Sequence, residues 1–124
     1  MSDSSLTQPG GRAIHFGLWA LQALLAAAFV AAGGAKLAGV AQMVALFEQI
    51  GIGQWFRYVT GAIEVAAGAA LLVPRLVPYA AAVLTLTMVG AIGTHVFLIG
   101  GSAAPAVLLA VLSGLLAYGR RARI

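Results

Sequence analysis

The chain contains no cysteine, and charged residues make up only 8% of its 124 positions. Without cysteine it holds no disulfide, no thiolate nucleophile, no CxxC redox pair and no cysteine-bound iron–sulfur cluster of its own. Any redox chemistry therefore needs a cofactor that comes from elsewhere. Soluble domains carry about 25% charged residues, so this chain has too little polar surface to cover a water-soluble particle.

Hydrophobic residues account for 62% of the sequence, and they are gathered into long runs rather than scattered. We expect lipid to be the solvent of these runs, and the length allows a single domain. The net charge is +4, but the basic residues stand singly between the runs or near the two ends. This arrangement is more typical of membrane topology signals than of a nucleic-acid-binding surface, and we expect no nucleic-acid partner.

Four long apolar runs predict four transmembrane helices, at residues 13–35, 58–74, 76–99 and 103–119. About 20 apolar residues are needed to cross the hydrocarbon core, and each run comes near that length. The second run is interrupted by Glu64, and the third contains His95 near its far end. We therefore predict an all-α integral membrane four-helix bundle over residues 13–119.

The segments outside the four runs are predicted to form two tails and a connector. Residues 1–12 lack apolar periodicity and predict a flexible polar tail, and residues 120–124 form a basic tail. In the connector, residues 37–56, apolar side chains recur at helical spacing opposite polar ones. This pattern predicts a short amphipathic helix after the first span, which either lies on the outer interface or dips into it.

The distribution of lysine and arginine predicts the direction of the spans, because positive residues are retained in the cytoplasm. One side of the predicted bundle holds five basic residues, namely Arg12, Arg75, Arg120, Arg121 and Arg123. The other side holds two, Lys36 and Arg57. Both termini are therefore predicted to be cytoplasmic. The competing interpretation is a cleaved signal peptide with its cleavage site among the small residues 31–35, but the first run is longer than a signal core.

Small residues predict the faces through which the spans pack, since helices in lipid associate by close contact and by polar bonds. Alanines at every fourth position form a stripe along the first span: Ala23, Ala27, Ala31 and Ala35. In the second span Gly61, Glu64 and Gly68 share one face of the helix. We expect both faces to contact neighbouring helices.

Glu64 is the most informative residue of the sequence. An unpaired carboxylate inside a bilayer is costly, so we expect Glu64 to be protonated or paired, and to face the protein interior or a water-filled cavity. The predicted topology brings further polar side chains to the same outer half of the bundle: Lys36, Arg57, Thr60, Thr94 and His95. Lys36 or Arg57 is the expected countercharge, and the others are expected hydrogen-bond partners. The cluster is either a structural ion pair that fixes helix register, or a site that binds a ligand or relays protons.

No metal site is predicted, because His15 and His95 fall at opposite ends of the bundle. The sequence also lacks a Gly-rich phosphate loop, a nucleophile elbow and an HExxH motif. The missing catalytic motifs favour a non-catalytic membrane subunit over an enzyme.

Several short motifs together resemble those of the DoxX-like family. They are residues 33–37 (Gly-Gly-Ala-Lys-Leu), a Phe-containing connector followed by Gly51, residues 61–64 (Gly-Ala-Ile-Glu) and residues 94–95 (Thr-His). The resemblance runs from about residue 15 to residue 118. It implies a multi-pass protein of the bacterial or archaeal inner membrane. It also implies that Lys36, Glu64 and His95 match the recurring polar positions of the family.

The resemblance implies a range of functions, from quinone-linked oxidation of sulfur compounds to maturation of redox enzymes and, in distant eukaryotic relatives, cargo reception. We expect an accessory or assembly subunit of a redox or quinone-linked system, with quinone as the one expected ligand and no intrinsic cofactor. Expected partners are membrane lipid, a membrane or periplasmic protein, and further copies of the chain. The alternative is a small proton-coupled transporter using Glu64. A third hypothesis is an oxidoreductase subunit whose quinone bonds to His95 or Glu64.

Overall fold

The computed structural model describes residues 9–121, and this part of the chain is all-helical. Its five α-helices are α1 (Pro9–Ala38), α2 (Ala41–Ile50), α3 (Trp55–Ala70), α4 (Val77–Thr94) and α5 (Ala104–Gly119). A 3-10 turn at Pro74–Leu76 precedes α4, and a π-helical turn at His95–Ile99 follows it. The predicted all-α fold is confirmed.

Four helices form the bundle, and the short α2 lies against it as the predicted connector helix. α1 packs mainly along α3, and α4 packs mainly along α5, with smaller contacts between the two pairs. The buried core between them includes Leu25, Phe29, Leu71, Leu84 and Leu116. Helix α2 touches α1, α3 and the π-helical turn, so it covers one end of the bundle.

Glycine sets the bounds of the connector helix. Between α1 and α2 the chain passes through Gly39, whose φ is 73°, and α2 is followed by Gly51, whose φ is 88°. The Gly51 N–H bonds to the carbonyl oxygen of Phe47, which is a left-handed helix cap. Only glycine adopts such backbone angles without strain, so these positions turn the chain sharply on both sides of α2.

Among the described residues, 9–121, two helical segments are long and apolar enough to cross a membrane, Gly11–Ala38 and Pro74–Ile99. Ala104–Gly119 is a shorter apolar helix. Large apolar side chains cover much of the outer surface, among them Leu86 at 71% and Phe97 at 84% exposure. Such a surface suits a hydrocarbon solvent better than water.

The structure corrects the predicted packing face of the first span. Ala23, Ala27 and Ala31 are exposed on the outer surface. The face that contacts the other helices instead carries Leu25, Ala26 and Phe29, together with Gly33. The close approach is provided by glycines, which are smaller than alanine, and lipid does not exclude alanine from the outer surface.

The predicted tails also differ from the described structure at both ends. Helix α1 begins at Pro9, inside the predicted polar tail of residues 1–12. Arg120, predicted as part of a basic tail, is buried with 9% exposure because it packs against α1. The remaining tail residues, 1–8 and 122–124, lie outside the described residues.

Candidate functional site

A glycine-to-glycine crossing of α1 and α3 positions the candidate site. A Cβ atom added to Gly33 would lie 2.6 Å from the Gly61 carbonyl oxygen, and one added to Gly61 would lie 2.9 Å from the Gly33 carbonyl oxygen. Both distances are too short for any side chain, so only glycine allows the two backbones to approach this closely. Lys36 and Glu64 each lie one turn from this crossing, on opposite sides of it because α1 and α3 run antiparallel. The close approach of the two backbones allows their side chains to meet across it.

Lys36 and Glu64 form an ion pair. The distance between Lys36 Nζ and Glu64 Oε1 is 2.9 Å, and the two side chains are 14% and 3% exposed. A buried carboxylate is stable in an apolar surrounding only when a partner compensates its charge. Of the two countercharges that the sequence left open, the structure thus pairs Lys36 with the carboxylate.

Arg57 lies beside this pair and binds its backbone. The buried guanidinium donates from Nη1 to the Lys36 carbonyl oxygen and from Nε to Gln54 Oε1, at 2.7 Å. Gln54 in turn donates from Nε2 to the Val44 carbonyl oxygen at 3.0 Å. Because the last carbonyls of a helix lack partners within the helix, Arg57 and Gln54 stabilise the end of α1 and attach the connector helix α2 to α3.

Thr94 and His95 stand at the end of α4, and their side chains form hydrogen bonds with nearby backbone. Thr94 Oγ1 donates to the Gly90 carbonyl oxygen at 2.9 Å. His95 Nδ1 lies 2.9 Å from the Gly100 carbonyl oxygen, across the π-helical turn. In the structure, therefore, His95 bonds to its own turn rather than to Glu64.

A cavity of about 500 Å³ joins these side chains. Five of the six candidate residues line it, namely Lys36, Thr60, Glu64, Thr94 and His95. Arg57 does not line the cavity, and its guanidinium binds the backbone carbonyl of Lys36. Most of the remaining lining is apolar and comes from every helix, including Phe29, Met43, Leu46, Phe47, Phe56, Met88 and Leu109. The predicted polar pocket is therefore an apolar cavity with a small polar wall.

The cavity reaches the lateral surface of the bundle between α3 and α4. Val59 and Ile63 on α3 and Leu86 on α4 line it, and their exposures are 44%, 39% and 71%. Gly90 also lines this side of the cavity, and a Cβ atom there would meet nothing within 4 Å. A lipophilic molecule that approaches from the hydrocarbon side would thus meet an apolar opening before it meets the ion pair.

A model of the DoxX-like family matches residues 20–118 of the chain. The chain belongs to the DoxX-like family. The match spans all five helices in part or whole and includes each of the six candidate site residues. No curated protein and no solved structure matches the chain significantly.

Membership in the DoxX-like family, together with the long apolar helices, makes this chain a membrane protein. Association with lipid follows from it. Within residues 9–121 there is no group of three or more His, Asp or Glu side chains that could hold a metal ion.

The apolar part of the cavity was missed in the sequence. Met43, Phe47 and Phe56 fall in the predicted connector and Met88 in the third apolar run, and none was predicted as a site residue, yet all four line the cavity. The signal that could have found them is the apolar face of α2, because a connector helix must cover something. Gln54 carried no comparable signal, since a lone glutamine in a loop is ordinary.

A second polar cluster, at the opposite end of the bundle, was also missed. Gln22, 1% exposed, donates from Nε2 to the Leu71 carbonyl oxygen at 3.0 Å and accepts from Arg120 Nε at 2.8 Å. Arg120 Nη2 donates to the His15 carbonyl oxygen at 3.3 Å. These bonds tie α1 to the end of α3 and to the end of α5. A single glutamine within an apolar run was the available signal.

Proposed function

We propose that this DoxX-like protein is an accessory or assembly subunit of a quinone-linked redox system, and that its cavity holds the quinone. The observation that supports the proposal is the cavity itself, which combines an apolar lining, an opening toward lipid and one buried ion pair. Ligand sites of this kind are mostly apolar and use a few polar groups to orient the ligand.

The residues of the cavity fit a quinone in two ways. The aromatic and methionine side chains can enclose a ring, and the opening between α3 and α4 leaves room for an isoprenoid chain to extend into lipid. Lys36 has ammonium hydrogens beyond the one bonded to Glu64, and these can be donated to a carbonyl oxygen of the ring. A bound quinone supplies two-electron chemistry, and the protein's part is to hold and orient it for a partner protein.

The alternative function, a proton-coupled transporter that uses Glu64, has less support. Such a carboxylate must lose and regain a proton as substrate passes. Here Glu64 is held by the Lys36 ammonium at 2.9 Å and is 3% exposed. A cycle that protonates this carboxylate would have to break the ion pair each time.

The experiment that tests the proposal measures quinone bound to purified protein with the cavity open and blocked. Gly90 lines the cavity, so Gly90→Phe adds a bulky side chain at its wall, whereas Gly93→Phe on the same helix adds the same bulk outside the lining. We expect mass spectrometry of extracted lipids to find isoprenoid quinone with the wild type and with Gly93→Phe, and several-fold less with Gly90→Phe. Equal amounts in all three proteins, or none in any, would overturn the proposal.

The accessory role has its own test, because it requires a partner. We expect a redox protein, or a protein of its maturation, to copurify from native membranes under mild detergent. Mass photometry of the same sample measures the predicted self-association. A chain that emerges alone, without another protein, would contradict the accessory role even if quinone is bound.

A further inference from the structure

The hydrogen-bonding groups around the cavity are mostly acceptors. We infer that the cavity selects a ligand that donates hydrogen bonds, and therefore binds the reduced dihydroxy form of a quinone, the quinol, more tightly than the oxidised diketone. The inference rests on the proposed quinone site and goes beyond it by assigning which redox form is held. It follows from the partners that the polar side chains already have.

The hydroxyl hydrogens of two lining threonines are already used. Thr87 Oγ1 donates to the Val83 carbonyl oxygen at 2.8 Å, and Thr94 Oγ1 donates to the Gly90 carbonyl oxygen at 2.9 Å. A hydroxyl group has one hydrogen to donate and two lone pairs that accept. Both threonines line the cavity, so toward a ligand they can act only as acceptors while these bonds persist.

His95 is an acceptor for a similar reason. Its Nδ1 lies 2.9 Å from the Gly100 carbonyl oxygen, and a carbonyl oxygen can only accept. The hydrogen of the bond must therefore reside on Nδ1. In the neutral imidazole this leaves Nε2 unprotonated, with a lone pair. Because His95 lines the cavity, Nε2 is the ring atom that remains to accept a hydrogen bond from a ligand.

Glu64 adds a fourth acceptor, since an ionised carboxylate accepts only and its Oε1 takes a single bond from Lys36. On the other side stand two donors, the Lys36 ammonium and the Thr60 hydroxyl. The two carbonyl oxygens of a quinone can accept from these two donors, but they can bond to none of the four acceptors. Each hydroxyl group of a quinol can donate to an acceptor and still accept from a donor, so a quinol matches more of the polar groups of the cavity.

The test compares both redox forms on the wild-type protein in lipid nanodiscs. Equilibrium binding of decylubiquinol, kept reduced under anaerobic conditions, is measured beside that of decylubiquinone. We expect the quinol to bind about tenfold more tightly, the effect of about one buried hydrogen bond. Equal binding, or tighter binding of the quinone, would overturn the inference and leave the proposed quinone site standing. Binding of neither form would refute the quinone site as well.

A second pair of probes removes redox chemistry and needs no variant. 4-Nonylphenol donates one hydrogen bond, and 4-nonylanisole has a methyl group in place of that hydrogen. We expect the phenol to bind several-fold more tightly, because only it can satisfy an acceptor of the cavity. Stronger binding of the anisole, or no difference between the two, would count against a cavity rich in acceptors.

The role of His95 is tested by removing its lone pair. In His95→Phe the ring is kept and the acceptor is lost, so we expect the preference for quinol over quinone to fall several-fold. Phe97→Leu is the matched control, since Phe97 belongs to the same π-helical turn but is 84% exposed and does not line the cavity. An undiminished preference in His95→Phe would overturn the assignment of Nε2 as the acceptor.

Discussion

Replacing Gly33 by alanine should separate the two helices that carry the ion pair. The added methyl group would lie 2.6 Å from the Gly61 carbonyl oxygen and 2.8 Å from Val65 Cγ2. An ordinary contact measures at least 3.4 Å, so the backbones of α1 and α3 must move apart by about 0.8 Å or tilt. Gly34→Ala is the matched control, because a Cβ atom there meets nothing within 4 Å.

The expected magnitude follows from two opposing effects. Alanine favours the helix over glycine by up to about 1 kcal/mol, and this gain applies equally to positions 33 and 34. Overpacking a tight contact costs about 1–3 kcal/mol, and it applies only to position 33. The difference in unfolding free energy between Gly33→Ala and Gly34→Ala therefore isolates the clash, and we expect Gly33→Ala to be less stable by about 1–3 kcal/mol.

The assay is reversible unfolding in mixed micelles with increasing dodecyl sulfate, followed by circular dichroism. Gly34→Ala should unfold at the wild-type denaturant fraction or slightly above, and Gly33→Ala below it. The cavity provides a second readout, because separation of α1 from α3 also lengthens the Lys36–Glu64 pair and should weaken quinone binding. If Gly33→Ala proves as stable as Gly34→Ala, the close crossing of the two helices is refuted.

Three further predictions concern charge, the second polar cluster and topology. Glu64→Gln should insert and fold but bind quinone more weakly. Glu64→Ala also leaves the Lys36 ammonium without its partner and should lower the free energy of unfolding in detergent by about 3–5 kcal/mol. If both variants match the wild type in stability and in quinone binding, Glu64 is a bystander. Gln22→Leu removes an acceptor of the buried Arg120 guanidinium and should lower the unfolding free energy by about 1.5–3 kcal/mol, so unchanged unfolding would show that this contact contributes nothing. Because the chain has no cysteine, the variants Arg75→Cys and Ser102→Cys can report topology in intact cells. We expect a membrane-impermeant maleimide to label Ser102→Cys and not Arg75→Cys. The reverse labelling would invert the predicted orientation.

The sequence predicted the packing face of the second run well because each of its special residues has one acceptable environment. A carboxylate must avoid lipid, so Glu64 had to face inward, and glycines on the same face had to receive a neighbouring helix. Gly61, Glu64 and Gly68 are all buried. The identity of the countercharge could not be predicted, since Lys36 and Arg57 both lie near the right depth and only the tertiary contacts decide between them.

The alanine stripe of the first run and Arg120 were interpreted less well, because the rules applied to them do not distinguish buried from exposed positions. Alanine is tolerated both in lipid and in a helix contact, so the stripe at Ala23, Ala27 and Ala31 carried no information about which side faces the bundle. Arg120 satisfied the rule for cytoplasmic charges, which is insensitive to burial. Its contact with Gln22 depends on two helices that are far apart in the chain.

Membership of the membrane class, the helical fold and the inward direction of Glu64 were determined by the sequence alone, because each depends on the transfer of individual side chains from water into lipid. The pairing of Lys36 with Glu64, the cavity and its wall of acceptors were decided only by the tertiary structure. They depend on the approach of Gly33 to Gly61, and on which backbone carbonyls accept hydrogen bonds from Thr87, Thr94 and His95. Such distances between neighbouring helices leave no trace in the hydrophobic pattern of any one of them.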